Sequence, residues 1–291
     1  MSSHVNTLDQ AIPLKINPAG EVIVPADDDL RPSRRSARPS QRRGSFQRQE
    51  PPERDVPAET RDAPVSEARV SRAYARRSKA FMGLQLEVGP GAFVPRAETE
   101  LLGATALDAL RGMPLGAGPR VIDMCCGSGN LACALGMYAA GAQVWASDLT
   151  EGAVAVARRN VMHLGLEASV HVVQGDLFAG FEGLGLVGTI DLITCNPPYI
   201  STHRLENERN TLLVHEPREA FDGGPYGLSI HQRVVTEARA FLRPGGVLLV
   251  EIGHRQERQV EMLFRRARSY GDVEMRRDAA GDVRVVFAGK L

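Results

Sequence analysis

Long apolar runs are missing from this 291-residue sequence. No stretch reaches the roughly 18 consecutive apolar residues of a membrane-spanning helix, and the N-terminus lacks the apolar core of a secretory signal. Basic and acidic side chains balance to a formal net charge of zero, so no overall field attracts nucleic acid or a membrane. We therefore expect a protein without a membrane partner.

Cysteine is scarce, and its spacing does not suggest a disulfide framework. The sequence contains four cysteines: Cys125, Cys126, Cys133 and Cys195. Two are adjacent and the other two lie in apolar runs, which favours reduced thiols in a cytoplasmic setting. No C-x2-C pair occurs with a histidine cluster, so the sequence predicts no metal site.

The N-terminal residues 1–77 have few large apolar side chains and many Pro, Arg, Ser and Gln residues. Such a segment cannot bury enough surface to offset the entropy of ordering, which predicts a disordered tail. The stretch Arg31–Arg48 holds seven arginines and no acidic residue. It is either a solvated tail or a basic arm that contacts RNA or an acidic partner. Asp27, Asp28 and Asp29 argue against a third alternative, an organellar transit peptide.

The remainder of the chain predicts an α/β fold. Phe81–Val94 is interpreted as two short strands around Gly89-Pro90-Gly91, and Pro95 opens a helix that ends near Leu110. Strands and helices then alternate from Val121, and a hairpin closes the chain. This order predicts a doubly wound, mostly parallel seven-stranded sheet with an antiparallel strand.

A glycine-containing loop follows the first strand of this sheet. The strand Arg120–Met124 leads through Cys125-Cys126-Gly127-Ser128-Gly129 into a helix. The two glycines let a ligand approach the backbone closely, and the helix N-terminus favours an anion. The loop is not a P-loop and lacks the full dinucleotide glycine pattern.

Acidic residues follow the next two strands. Asp148 lies 19 residues after Gly129, a spacing at which a carboxylate meets ribose hydroxyls. Its alternative role is the start of the following helix. Asp176 follows the third strand and could accept a hydrogen bond from an adenine amino group, with Leu177 or Phe178 against the ring. It could equally be an ordinary loop aspartate.

The tetrapeptide Asn196-Pro197-Pro198-Tyr199, which we call the hook, follows the apolar strand Thr189–Cys195. Neither proline has a backbone donor, so the strand must end there. The Asn196 side-chain oxygen and the Pro197 carbonyl can accept hydrogen bonds from one planar NH2 group, on which Tyr199 can stack. The alternative is a strand-ending turn with a buried tyrosine.

Two segments flank these elements. Arg96 and Glu98 either face a substrate or balance the charge at a helix end. The irregular stretch His215–Gly224 has the length of a functional lid.

Together these segments resemble the HemK/PrmC family of S-adenosyl-L-methionine-dependent methyltransferases. The resemblance rests on Val121–Gly129, Asp148, the hook, Phe93–Leu102 and Glu216–Gly224. It implies a Rossmann-like class I methyltransferase domain over residues 78–291. It also implies methylation of a glutamine side-chain amide in a peptide chain release factor or, in a sister branch, methylation of a ribosomal protein.

The resemblance and the patterns above assign roles to individual residues. The expected catalytic residues are Asn196, Pro197 and Tyr199. The expected cofactor residues are Asp123, Cys125, Cys126, Gly127, Ser128, Gly129, Asp148, Asp176, Leu177 and Asn196. The expected substrate residues are Asn196, Pro197, Pro198, Tyr199, Arg96 and Glu98.

Two departures from the family leave other functions open. Cys125 stands where the family usually has a glycine, and the family's helical N-terminal domain is not visible in the sequence. The alternatives are a methyltransferase acting on amino groups of nucleic acid, with Arg31–Arg48 contacting phosphates, and one acting on a small molecule. A non-enzymatic alternative is a cofactor-binding protein that works through its tail.

Overall fold

The structure is a computed structural model that describes residues 15–16, 22–23, 67–114, 118–207 and 216–291. In the N-terminal region, Lys15–Ile16 (β1) pairs antiparallel with Val22–Ile23 (β2). The arginine-rich stretch Arg31–Arg48 lies outside the described residues, as do most of the predicted tail and His215.

A seven-stranded sheet forms the centre of the domain. Its strands are Arg120–Met124 (β5), Gln143–Asp148 (β6), Val170–Gln174 (β7), Ile190–Cys195 (β8), Leu242–Glu251 (β9), Glu274–Arg277 (β10) and Val283–Gly289 (β11). Their order in the sheet is β10-β11-β9-β8-β5-β6-β7. The strands from β5 to β9 are parallel, while β11 is antiparallel to both β9 and β10. This arrangement confirms the predicted fold class, including the terminal hairpin.

Helices cover both faces of the sheet. Successive side chains of a strand point to opposite faces, so Val121 joins one hydrophobic cluster and Ile122 the other. The helices are Thr99–Arg111 (α2), Asn130–Tyr138 (α3), Glu151–His163 (α4), Thr202–Asn207 (α5), Ser229–Phe241 (α6) and Glu257–Ala267 (α7). The first cluster includes side chains of α2, α3 and α4, and the second includes side chains of α6 and α7. Among the described residues, no helix has the length and apolar character needed to cross a membrane.

Regular secondary structure N-terminal to the sheet begins earlier in the sequence than predicted. Glu67–Arg76 (α1) lies within the span assigned to the tail, and its residues Val70 and Ala73 are buried against Val88 and Val94. The predicted boundary at Ser78 is therefore too late. The segment as a whole is mostly polar, so its composition predicted no buried structure. Two apolar side chains spaced three residues apart nevertheless lie on one face of this short helix and are buried.

A short hairpin follows this helix. Its strands are Ser78–Phe81 (β3) and Leu84–Glu87 (β4), joined by Met82 and Gly83 with φ of 47° and 82°. Two positive φ angles in a two-residue loop are typical of a type I′ turn, which matches the twist of a hairpin. The prediction that Gly89-Pro90-Gly91 forms the turn between two strands was wrong.

Candidate active site

A cavity of about 850 Å³ opens at the carboxyl ends of the parallel strands. Its wall contains the glycine loop after β5, the end of β6, the segment after β7 and the hook after β8. The chain runs from β5 outward to β7 and then returns to β8 on the other side of β5. Ligands bind at such reversals in open α/β sheets, and this volume is typical of cofactor sites.

The cavity brings together most of the predicted site residues. Those that line it are Arg96, Glu98, Cys125, Cys126, Gly127, Asp148, Asp176, Leu177, Asn196, Pro197, Pro198 and Tyr199. Asp123, Ser128 and Gly129 do not line it.

The hook begins where β8 ends, as the two prolines require. All six residues of β8 are buried, which fixes the point at which the chain emerges. The Tyr199 carbonyl accepts a hydrogen bond from Gln256 Nε2 at 3.0 Å, and Gln256 Oε1 accepts one from the Gly253 N–H at 2.9 Å. Burial raises the pKa of the Tyr199 phenol well above its usual value. The ring therefore stays neutral while it lines the cavity.

The described part of the predicted lid packs along the hook. The Ile200 N–H donates to the Phe221 carbonyl at 2.9 Å, and the Gly223 N–H donates to the Ile200 carbonyl at 2.8 Å. A Cβ atom on Gly223 would lie 2.6 Å from the Pro198 oxygen, so only glycine fits this approach. The segment is thus a wall that supports the hook.

The Asn196 side chain is held by its nitrogen. Asn196 Nδ2 donates to Thr99 Oγ1 at 3.1 Å, and Thr99 is the first residue of α2. Asn196 also lines the cavity. With Nδ2 engaged by Thr99, the amide retains Oδ1 as the end that can accept a hydrogen bond from an NH2 group.

The Asp148 carboxylate connects the glycine loop to the next helix. Asp148 Oδ2 accepts from the Gly127 N–H at 2.9 Å, and Oδ1 accepts from the Thr150 N–H at 3.1 Å. Thr150 in turn caps α4 by accepting from the Ala153 N–H. Asp148 therefore helps to start α4, which was the alternative role considered for it. It also lines the cavity, where the predicted ribose contact would take place.

Asp123 holds the loop from below and has no direct access to the cavity. Its carboxylate accepts hydrogen bonds from Thr194 Oγ1 at 2.8 Å and from the Ala132 N–H at 3.0 Å. It is fully buried, and burial raises its pKa to about 7 despite these bonds. Asp123 lies below the cavity wall, because it lies inside β5 while Asp148 is the last residue of β6. Its predicted contact with a cofactor stays a prediction.

Two further loop residues serve packing. Ser128 is buried, and its Oγ has no hydrogen-bond partner within the described residues. Gly129 has φ of 76°, and a Cβ there would lie 3.1 Å from the Ala157 Cβ. Glycine at this position lets α3 approach α4 closely, and its predicted contact with a cofactor stays a prediction.

Asp176 lies at the cavity wall but is already paired. Its carboxylate accepts from Arg233 Nη1 at 2.8 and 3.1 Å, and 56% of the side chain is exposed. The neighbouring Leu177 is buried against the apolar core. An adenine amino group at Asp176 would therefore share the carboxylate with Arg233.

Arg96 lines the cavity and forms an ion pair that the sequence did not predict. Its guanidinium forms a buried ion pair with Glu216, at 2.6 Å, and lies 4.2 Å from the centre of the Phe93 ring. Glu216 also accepts from the Val94 N–H at 2.8 Å. The pair joins the segment before α2 to the segment along the hook. Glu98 lines the cavity at the start of α2 and forms no side-chain cap bond.

The sequence analysis missed several residues of the site. Thr99 holds Asn196, Gln256 holds the Tyr199 carbonyl, and Arg284 lines the cavity from β11. Glu251 is buried beside Asn196 at the end of β9. An acidic residue that ends an apolar strand was the signal that identified Asp148, and the same signal could have identified Glu251.

The comparisons with known proteins agree with this geometry. The family model described as methyltransferase small domain matches residues 102–226. The chain is 37% identical over 203 residues to a release factor glutamine methyltransferase of Gloeobacter violaceus, covering 70% of this chain and 68% of that protein. The chain belongs to the family of release factor glutamine methyltransferases. The predicted family is thereby confirmed, and the chain is a methyltransferase.

Another relative and a solved structure extend the comparison. The chain is 36% identical over 187 residues to a 4-amino-L-phenylalanine/4-methylamino-L-phenylalanine methyltransferase of Streptomyces pristinaespiralis, covering 64% of this chain and 62% of that protein. The crystal structure of a methyltransferase from Pyrococcus furiosus superposes with a TM-score of 0.52 at 19% identity, covering 77% of this chain and 97% of that chain. This likeness concerns the fold alone.

Cys125 adopts a backbone conformation that is unusual for a residue with a side chain. It adopts φ of 55°, a left-handed conformation that favours glycine, at the loop position where the resemblance led us to expect glycine. Its thiol lies 3.9 Å from the Cys195 thiol, directly before the hook. The loop thus keeps the backbone path of a glycine while carrying a side chain at the cavity wall.

Proposed function

We propose that this methyltransferase transfers the methyl group of S-adenosyl-L-methionine to the side-chain amide nitrogen of a glutamine in a peptide chain release factor. The observation that carries the proposal is the Asn196 amide, held by its nitrogen beside the glycine loop in one cavity. The name of the relative from Gloeobacter violaceus supports the choice of substrate.

The residues of the cavity fit the cofactor. Gly127 and Cys126 present the loop at the N-terminal end of α3, a region that favours a carboxylate. Asp148 would accept from ribose hydroxyls, and Asp176, with Leu177 nearby, would meet the adenine amino group. Asp123 would act through the first turn of α3, by its bond to Ala132. When bound, S-adenosyl-L-methionine supplies an electrophilic methyl group on a sulfonium.

An amide nitrogen is a weak nucleophile because its lone pair is delocalised. The hook would make its methylation easier. Asn196 Oδ1 and the Pro197 carbonyl would accept hydrogen bonds from the two protons of the substrate NH2 group. These acceptors favour the positive charge that develops on nitrogen in the transition state. Tyr199 would stack on the plane of the amide, which keeps the nitrogen aligned with the methyl group.

The proposed substrate is a protein, and the proposed location is the cytoplasm. Arg96 and Glu98 lie at the cavity wall on the side of α2, where a peptide that inserts a glutamine would pass. The four cysteines are free thiols, which supports a cytoplasmic location. The proposal also includes contact of Arg31–Arg48 with RNA. This stretch lies outside the described residues.

Transfer of labelled methyl groups tests the proposed acceptor. The full chain is incubated with isotopically labelled S-adenosyl-L-methionine and, in parallel, purified release factor, ribosomal protein and RNA. We expect label on release factor, and peptide mapping should place it on a glutamine. Label on RNA alone, with substrate binding that weakens steeply as salt rises, would replace the proposal with the nucleic-acid alternative.

A small aromatic amine is the second candidate acceptor. The relative from Streptomyces pristinaespiralis, whose name specifies an aminophenylalanine, favours it. The hook could hold an aromatic amino group by the same two acceptors. Adding 4-amino-L-phenylalanine as a fourth arm of the labelling experiment separates the two candidates by their kcat/KM values.

A further inference from the structure

An acidic side chain lies buried beside the hook, outside the cavity wall. Cys195 of β8 is in register with Val250 of β9, so the next residues, Asn196 and Glu251, are neighbours at the ends of parallel strands. Glu251 is only 2% exposed. Its backbone is anchored from the other side, where its carbonyl contacts His231 Nε2 at 2.9 Å.

The Glu251 carboxyl group lies next to the residues that hold the hook. Asn196 Nδ2 donates to Thr99 Oγ1 at 3.1 Å. The Thr99 and Asn196 side chains are close enough to Glu251 to lower the pKa of its carboxyl group as hydrogen-bond donors, against the larger effect of burial. Oε2 of Glu251 has no hydrogen-bond partner within the described residues. The amide nitrogen of Asn196 thus faces the Thr99 oxygen, with the Glu251 carboxyl group beside it.

An asparagine amide has a donor end and an acceptor end, and only one orientation suits this arrangement. Turning the amide over would place Oδ1 against the oxygens of Thr99 and Glu251. If the Thr99 hydroxyl gives its proton to the Glu251 carboxyl group, it has none to offer Oδ1 in that orientation. The acceptors beneath the hook thus select the orientation in which Oδ1 faces the cavity.

This selection does not depend on whether the carboxyl group is ionised. The ionised group can accept at Oε1, and the protonated group can carry its proton on the unpartnered Oε2 and still accept at Oε1. Burial raises the pKa of Glu251 to about 8, so the protonated form is common near neutral pH. The charged groups that face it, Glu98 and Arg284, raise and lower its pKa respectively.

We infer that Glu251 is a positioning residue that, together with Thr99, fixes the Asn196 amide with its oxygen toward the substrate nitrogen. Glu251 does not line the cavity, so it acts only through Asn196 and Thr99. A buried carboxyl group with an unpartnered oxygen costs stability, and a requirement at the active site accounts for its presence. The inference rests on the proposed role of Asn196 as the acceptor for a substrate NH2 group.

Paired variants of Glu251 test the inference by steady-state kinetics and calorimetric titration of the cofactor. Glu251→Leu removes the acceptor at nearly constant volume, and we expect kcat to fall by about tenfold or more, the scale of a weakened transition-state contact. Glu251→Gln keeps an acceptor oxygen, so kcat should recover to within about fivefold of wild type. Both variants should bind the cofactor within about twofold of wild type, because the carboxyl group does not face the cofactor.

A double variant distinguishes one shared route from two separate effects. Thr99→Val removes the hydroxyl, and Thr99→Ser is its matched control. If both residues act through Asn196, the Thr99→Val/Glu251→Leu double variant should lose little more kcat than Thr99→Val alone. Independent, additive losses would overturn the inference, as would wild-type kcat in Glu251→Leu or equal losses in Glu251→Leu and Glu251→Gln.

Neutron diffraction of the wild-type protein tests the orientation without any substrate. We expect the two deuterium atoms on Asn196 Nδ2 to point to Thr99 and Glu251, and the Thr99 deuterium to point to Glu251. Deuterium atoms of Asn196 that face the cavity would overturn the inference, whichever acceptor is methylated. Failure of methyl transfer to every acceptor, with the expected deuterium positions, would instead reject the proposed function and keep the orientation.

Discussion

Cys125 illustrates how one side chain departs from its local backbone preference. A residue with a Cβ in the left-handed region costs about 1–2 kcal/mol, and Cys125 has φ of 55°. The loop accepts this cost because Cys126 and Gly127 are tied to β6, by the Ser147 carbonyl and the Asp148 carboxylate respectively. The backbone is thus held by its neighbours rather than by the preference of Cys125.

Replacing Cys125 with glycine should stabilise the protein relative to replacing it with alanine. Both variants lose the thiol, but only glycine relieves the left-handed strain, while it also gains entropy in the unfolded chain. We expect the free energy of unfolding of Cys125→Gly to exceed that of Cys125→Ala by about 1 kcal/mol in urea titrations. Equal stability of the two variants would mean that Cys125 is not strained in solution.

At the same scale, the sequence predicted which residues gather at the site better than it predicted where each points. Asp148 ends its strand and lines the cavity, whereas Asp123 pairs in register with Ala146, two residues before Asp148, and is buried. Both side chains therefore point to the same face of the sheet, and their depth below the carboxyl edge, which the sequence does not fix, separates their environments. Glu251 was missed because its partners, Thr99 and Asn196, are distant in sequence.

At the scale of elements, the hook depends on two segments that are far apart in the chain. The Arg96–Glu216 ion pair joins the segment before α2 to the segment along the hook, and both side chains are almost fully buried. Removing one partner of such a pair leaves a buried charge without compensation, which is far more costly than losing an exposed pair.

Glu216→Gln should therefore destabilise the protein by about 3 kcal/mol or more in urea unfolding. The matched control is Glu261→Gln, which removes an Arg265 pair at the exposed surface of α7 and should cost less than about 1 kcal/mol. Similar small losses in both variants would contradict the importance of the buried pair.

Element boundaries were predicted well where a strong local signal exists. The prolines of the hook and the threonine cap of α4 mark their elements within one or two residues. The turn at Met82 and Gly83 was missed because methionine is an uncommon choice for a positive φ, whereas the glycines at 89 and 91 looked like a turn. Helix α1 was missed because its burial depends on contacts with Val88 and Val94.

At the scale of the whole molecule, the order of strands alone places the site. Alternating strands and helices predicted a doubly wound sheet, and the right-handed crossover rule leaves few ways to connect it. The reversal of direction at β5 then brings the glycine loop and the hook to the same crevice. The fold class could therefore be predicted from sequence, while the contacts that orient each side chain could not.

The stability of the whole protein should fall as pH rises from about 6.5 to 8. Burial raises the pKa of Asp123 to about 7 and of Glu251 to about 8, so the folded state binds more protons than the unfolded state in this window. The buried His231, whose pKa burial lowers to about 4, acts in the opposite direction only below about pH 6.5. Stability conferred by the two protonated acids is lost as each ionises.

Urea unfolding at pH 6.5 and pH 8 measures this dependence. Glu251→Gln should make the fall in unfolding free energy shallower than in wild type, because the amide does not ionise. The exposed Glu261→Gln variant serves as the control and should follow wild type. A wild-type stability that rises between these pH values would contradict the assignment of protons to the two buried acids.

The central claim is that Asn196 grips the substrate nitrogen in the transition state. The most direct measurement compares kcat and cofactor Kd for Asn196→Ala with those of wild type, using Asn207→Ala on the exposed face of α5 as the control. The account predicts a fall in kcat of about 100-fold or more with cofactor Kd within about threefold. Equal losses of kcat and cofactor affinity, or an unchanged kcat, would contradict it.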